Sequence, residues 1–174
     1  ASVVAAREAG AGKIIVTGLS ADSNKLQMAL ALGADHIIDV QNENVVDRVR
    51  ALTNGKGADV IVEVTSYATQ PVREALDCVR MGGTVVLAGV KGFKPVSDFV
   101  SDLIVMKEIT IKGAIGVTSS GYKKAIEMIE RRKYPLELMH THNFELEEAE
   151  LAIKTLARQI EGQESVHSCL IPAT

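Results

Sequence analysis

The chain has 174 residues, 47% of them apolar and 24% charged, with a formal net charge of -3. Such a chain can bury the core of one ordinary domain and is too apolar for wholesale disorder. Its acidic balance, 3% aromatic content and lack of Trp leave no basic stripe and no stacking platform, so a nucleic-acid partner is excluded.

The first stretch, Ala1 to Gly10, reads as a helix ending at Gly10. It lacks the charged start of a signal peptide, and without an initiator Met it reads as beginning inside an element. Lys13 to Gly18 is a run of β-branched residues, the pattern of a strand buried on both faces. Asp22-Ser23 then resembles a helix cap, and Leu26, Ala29 and Leu30 fall at helical spacing before Gly33. His36 to Val40 is the next strand, and Val45, Val46, Val49 and Leu52 mark a helical face stopped by Asn54-Gly55.

Ala58 to Val64 is a third strand. Val72, Ala75, Leu76 and Val79 line a helix that Gly82-Gly83 should close, and Thr84 to Gly89 is a fourth strand. A helix over Asp98 to Met106, a strand over Ile109 to Ala114 and a helix carrying Tyr122, Ala125, Ile126 and Ile129 come next. Five strands separated by helices predict a doubly wound parallel α/β sheet, because parallel strands need crossovers of this length. From Tyr134-Pro135 the texture changes to a strand (Met139 to Phe144), an acidic helix opening at Glu147, a polar loop (Gln159 to Ser165) and a last strand (Val166 to Ile171). No apolar run reaches the roughly 20 residues of a membrane span. Cys78 and Cys169 read as two buried thiols of a cytoplasmic protein rather than a disulfide.

A dinucleotide fold usually carries G-x-G-x-x-G between its first strand and helix, and that pattern is absent. Gly10-Ala11-Gly12 follows a helix and precedes a strand, the wrong order for gripping pyrophosphate. Gly116 and Gly121 have P-loop spacing, but Tyr122-Lys123 stands where Lys-Ser/Thr is required.

Six phrases nevertheless occur in one order: Lys13 to Gly18 with Lys25 to Ala29; Leu32-Gly33-Ala34-Asp35-His36; Leu52 to Val60; Arg80 to Gly89; Lys107 to Gly113; and Thr141 to Phe144 with Leu146 to Ala149. Together they resemble the nucleotide-binding half of zinc-type medium-chain alcohol dehydrogenases, with a sorbitol- and threonine-dehydrogenase-like texture, over essentially the whole chain. The resemblance implies a Rossmann-like sheet lacking its first strand and glycine loop. It implies an incomplete nucleotide-binding domain over residues 1–135 and a segment over 136–174 that returns to a catalytic domain outside this sequence. A sheet without its central strand would expose two unpaired edges.

The same resemblance implies hydride transfer between NAD(P) and an alcohol or carbonyl substrate, with zinc ligands and catalytic residues outside this chain and the chain inactive alone. The cofactor-binding candidates are Gly18, Ser20, Lys25, Thr65, Ser66, Ala88, Gly89, Val90, Ala114 and Ile115. At the end of the strand Lys13 to Gly18, the family often has an Asp that accepts from ribose hydroxyls. Gly18 leaves room there for a 2′-phosphate, Ser20 can donate and Lys25 can supply charge, which leans towards NADP. Asp22 can restore an NAD preference from the loop, or merely cap the helix. The residues at Ala88 to Val90 and Ala114 to Gly116 are either small to admit the nicotinamide or small for strand-end turns.

Of the four histidines, His140 and His142 could chelate a metal if they faced one way, but no Cys or carboxylate lies at tight ligand spacing, so a structural role is expected. Glu63 is either a strand-end carboxylate near the cofactor or a polar turn residue. Other readings remain: a zinc-free quinone oxidoreductase of the same superfamily, a non-catalytic dinucleotide-binding module, and an S-adenosylmethionine methyltransferase. A homo-oligomer is expected by family habit, with the strand around Ile109 to Ala114 as a pairing edge.

Overall fold

The computed structural model describes residues 1–172. Two units emerge, residues 1–37 with 120–174 and residues 38–119.

The second unit holds the longer sheet. Its helix α3 (Val45–Leu52) starts where Asn44 accepts a hydrogen bond from the Asp47 amide (3.0 Å) and ends where predicted, beside Asn54-Gly55. Strands β3 (Ala58–Glu63), β4 (Val79–Leu87) and β5 (Thr110–Gly113) pair in parallel in the order β3-β4-β5. Helix α4 (Gln70–Cys78) and the short α5 (Asp102–Met106) are the crossovers. Ala75, Leu76, Val79, Val85 and Ile109 form this unit's core, with Ile61, Leu87, Leu103 and Ile104 around it.

Two predicted boundaries move. Val79 belongs to β4, not to the helix before it, and Gly82-Gly83 lies inside the strand. Ala58 pairs with Val79 while Val60 pairs with Thr84, so the residues between Val79 and Thr84 bulge out of the ladder. The glycines permit this: Gly82 sits at φ +65°, and a Cβ on Gly83 would come within 2.5 Å of Val79 Cγ2. The helix predicted from Asp98 begins only at Asp102, since Asp98 adopts a left-handed φ of 53°.

The first unit opens with α1 (Ser2–Glu8), β1 (Ile15–Gly18), a 3₁₀ turn (Ser20–Asp22) and α2 (Ser23–Ala31), and β2 (His36–Asp39) straddles the boundary between units. β1 and β2 form a two-stranded sheet. Arg7 fastens α1 to the turns on either side of β1 and α2, donating to the Ala11 and Gly33 carbonyls and to Asp35 Oδ2, each at 2.7 Å. β1 is half-buried, not buried on both faces as its composition suggests, and it pairs with β2 alone among the described residues. Helix α6 (Ser119–Arg131) is anchored beyond its end by Glu8, which accepts from Lys133 (2.8 Å) and Tyr134 (2.7 Å).

After α6 the strand predicted from Met139 is instead a 3₁₀ turn (Leu136–Met139) followed by β6 (His142–Glu145). A further 3₁₀ turn (Leu146–Glu148) leads into α7 (Ala149–Leu156), and β7 (Ser168–Ile171) pairs with β6 in parallel. Phe144, Ala152 and Thr155 are buried between these elements. Residues 159–165 form the predicted loop.

The chain is α/β with parallel pairing, as expected, and its described strands form the sheets β1-β2, β3-β4-β5 and β6-β7. Val60 and Val62 of β3 are more than half exposed. No helix is long and apolar enough to cross a membrane among these residues.

Candidate functional site

In a parallel sheet, ligands bind beyond the carboxyl ends of the strands. Glu63 pairs with Leu87 and Leu87 with Gly113, so β3, β4 and β5 end at one level. Seven predicted residues come directly after these ends: Thr65 and Ser66 after β3, Ala88, Gly89 and Val90 after β4, Ala114 and Ile115 after β5. All are exposed except Gly89, which is half-buried. Val90 and Ile115 present 59% and 92% of their surface, apolar faces suited to a planar ring.

Short backbone bonds lock these strand ends together. Ala88 and Gly89 donate to the Glu63 carbonyl at 2.8 and 3.0 Å, and Ala114 donates to the Leu87 carbonyl at 2.9 Å. A Cβ on Gly89 would lie 2.2 Å from the Thr65 carbonyl oxygen. Gly89 is therefore small because the Thr65 backbone occupies its flank, the strand-end explanation, whether or not a ligand is present.

Beneath these loops lies a closed ring of polar contacts that sequence reasoning missed in part. Glu63, 4% exposed, accepts from the Thr65 amide through Oε1 (2.8 Å) and from Lys91 Nζ through Oε2 (2.7 Å). Lys91 also donates to the Thr65 carbonyl. The carboxylate and ammonium thus hold one residue, Thr65, by both its backbone polar groups, and satisfy each other in doing so. Glu63 was legible only as an acid in an apolar strand. Lys91 carried no signal, because its partner is 28 positions away.

Tyr67 was also missed. It takes a left-handed φ of 63°, donates its amide to the Val90 carbonyl (3.1 Å) and packs its ring against Gly92, with Lys94 Nζ 5.8 Å above the ring centroid. A non-glycine residue held in that region marks a loop specified by its surroundings.

The other three predicted residues, Gly18, Ser20 and Lys25, lie in the first unit, around the carboxyl end of β1. A Cβ on Gly18 would lie 3.0 Å from Leu26 Cδ2. Lys25 Nζ is 3.5 Å from Asp22 Oδ1, and Arg158 donates to the same oxygen. Asp22 Oδ2 accepts from the Leu19 amide (3.4 Å), closing the 3₁₀ turn, and makes no side-chain cap to α2. Burial pushes the Asp22 carboxyl up, but Arg158, the Leu19 amide and Lys25 together outweigh it and leave it below its ordinary value. Asp22 is an ionised, doubly paired carboxylate.

This arrangement of strands and small exposed residues matches a known group. Residues 1–131 match the family described as zinc-binding dehydrogenases. The chain belongs to that family. It is 36% identical over 98% of its length to a probable alcohol dehydrogenase of Mycobacterium tuberculosis, covering 47% of that protein. It is 30% identical to a sorbitol dehydrogenase of Halalkalibacterium halodurans, over 79% of the chain and 39% of the relative. Among solved structures, an alcohol dehydrogenase from Thermotoga maritima superposes with a TM-score of 0.84 at 29% identity, covering 98% of the chain and 46% of that protein. The chain therefore spans less than half the length of these relatives, and its fold is that of their Rossmann-type portion.

Within the family frame the described cavities lie elsewhere. One of about 720 Å³ is bounded by Ala21, Asn24, His142, Arg158 and the loop Ile160 to Glu164, and one of about 240 Å³ lies beside α4. None of the ten predicted residues lines either. Of the His140-x-His142 pair, for which a structural role is expected, His142 Nδ1 bonds to Thr141 Oγ1 (2.9 Å) and its ring stacks on Phe144, while His140 turns towards His167. Both cysteines are free, as expected, but Cys78 alone is buried and Cys169 is partly open.

Proposed function

We propose that this chain is the nucleotide-binding portion of an NAD(P)-dependent alcohol or polyol dehydrogenase. Its residues 1–135 would serve the dinucleotide, and residues 136–174 would return to a catalytic domain. The observation that carries the reading is the row of small and apolar residues exposed beyond β3, β4 and β5 in a chain of the zinc-binding dehydrogenase family. A bound nicotinamide would supply the hydride acceptor or donor, and zinc held by residues outside this chain would polarise the substrate oxygen.

What this chain contributes is placement. Thr65 and Ser66 would offer hydroxyls to the adenosine side, while Ala88, Val90, Ala114 and Ile115 would let the nicotinamide approach the backbone and shield it from water. Glu63 and Lys91 act indirectly, as positioning residues for Thr65. The lean to NADP rests on Gly18, which brings no carboxylate against a 2′-phosphate, and on Ser20, Lys25 and Arg158 nearby; Asp22 is already engaged by two cations. The substrate would be a small alcohol or carbonyl compound, the protein cytoplasmic, and the assembly a homo-oligomer with exposed β5 as a pairing edge.

Titration of the purified chain with NADPH, NADH and S-adenosylmethionine, read by calorimetry, tests this. Nicotinamide dinucleotide binding that weakens at least tenfold in Val90→Glu and Ile115→Glu is expected. Binding of S-adenosylmethionine alone, or binding indifferent to both substitutions, overturns it.

A further inference from the structure

Where β6 and β7 begin, three side chains converge that nothing in the dinucleotide reading uses. His140 Nδ1 is 3.4 Å from His167 Nδ1, Cys169 Sγ is 3.7 Å from the first and 3.9 Å from the second. Among the described residues they are the one group of three or more His, Cys, Asp or Glu side chains drawn this close.

We propose that His140, His167 and Cys169 form a binding site for one zinc-class divalent cation. Distances argue for it first. A tetrahedral ion with metal–nitrogen bonds near 2.05 Å and a metal–sulfur bond near 2.3 Å sets its nitrogens about 3.3 Å apart and each nitrogen about 3.6 Å from the sulfur. The observed triangle of 3.4, 3.7 and 3.9 Å needs to contract by only a few tenths of an ångström.

Tautomer is the second argument. His140 Nε2 is 2.7 Å from Asn143 Oδ1. With that amide oxygen as the acceptor, a neutral His140 carries its one N–H at Nε2, which leaves Nδ1, the atom facing His167 and Cys169, free to bind a cation. This is the outer contact that usually orients a metal-binding histidine.

The frame is built as well. The Thr141 amide and hydroxyl both donate to the His167 carbonyl, at 3.0 and 3.1 Å, and the Val166 amide donates back to Thr141 Oγ1 at 3.1 Å. Asn143 lies opposite Cys169 in the parallel ladder. The backbone thus fixes the two segments that supply the ligands before any ion arrives.

Two nitrogens and one thiolate suit zinc and its neighbours and disfavour calcium and magnesium, which take oxygen ligands. Three protein ligands leave the fourth position to water or an exchangeable group. Binding would clip β6 to β7 and close the segment holding α7.

Titration of the purified protein with Co²⁺ tests the site. One equivalent should give a thiolate-to-cobalt charge-transfer band that survives Cys78→Ser, disappears in Cys169→Ser and needs at least tenfold more metal in His140→Gln, His167→Gln or Asn143→Ala. If Cys169→Ser does not fold, equimolar Zn²⁺ should slow alkylation of Cys169 in the parent protein at least tenfold. Absence of the band, its survival without Cys169, or an alkylation rate indifferent to zinc overturns the proposal.

Discussion

Replacing Lys91 with Met keeps the aliphatic stem and removes the ammonium, leaving the Glu63 carboxylate buried with one donor, the Thr65 amide. The side chains of Lys91 and Glu63 are 12% and 2% exposed, and their charged atoms are 2.7 Å apart. At that separation the attraction is about 6 kcal/mol at an effective dielectric near 20. Desolvation of both ions offsets a good part of it, so the intact pair adds little net stability, whereas stranding one charge costs about 3–5 kcal/mol. Because water reaches the Lys91 end, the lower figure, about 3 kcal/mol, applies. With a urea slope of about 2 kcal/mol per molar, the denaturation midpoint should fall by roughly 1.5 M. Circular dichroism across a urea series at pH 7 reads this directly. The double variant Glu63→Gln/Lys91→Met, which carries no buried charge, should be more stable than Lys91→Met alone. A midpoint within about 0.3 M of the parent, or a double variant no better than the single one, refutes the view that this pair is buried and coupled.

Three further outcomes are expected. Gly89→Val places a side chain where the Thr65 carbonyl lies. It should cost about 3 kcal/mol and lower Tm by roughly 6–12 °C, and an unchanged melting curve would contradict the close approach. Burial, with Glu74 and Asp77 adding, pushes the Cys78 thiol up to about 11, so at pH 8 a disulfide reagent should modify Cys169 quickly and Cys78 only as the protein unfolds; two equally fast thiols would count against it. The Ile14 amide holds the Asp35 carboxyl below its ordinary 3.8, against partial desolvation and with help from Arg7. A depressed carboxyl stabilises the fold above its unfolded value and ceases to as the pH falls through its folded value. The stability gap between the parent and Asp35→Asn should therefore be constant near neutrality and close below about pH 4, and a gap of equal size at pH 6 and pH 3 refutes the linkage.

Much of the architecture was legible because it rests on local patterns. Val45, Val49 and Leu52 at helical spacing, ended by Asn54-Gly55, specify α3 with no help from elsewhere. Alternation of apolar runs and helices implied parallel strands, since nothing else accommodates crossovers of that length. The six family phrases located the residues beyond each strand.

The tertiary structure decided what depends on partners far apart in the chain. Gly82-Gly83 looks like a helix stop in sequence and becomes a bulge because β3 sets the register of β4. Lys91 acquires a role only when β4 brings its loop over Glu63. His140 looks paired with His142 by spacing, but the parallel pairing of β6 and β7 gives it His167 and Cys169 instead. A sequence records helical and strand periods because they arise between near neighbours. Burial, charge pairing and ligand triangles arise between strands joined only by folding, and spacing along the chain does not encode them.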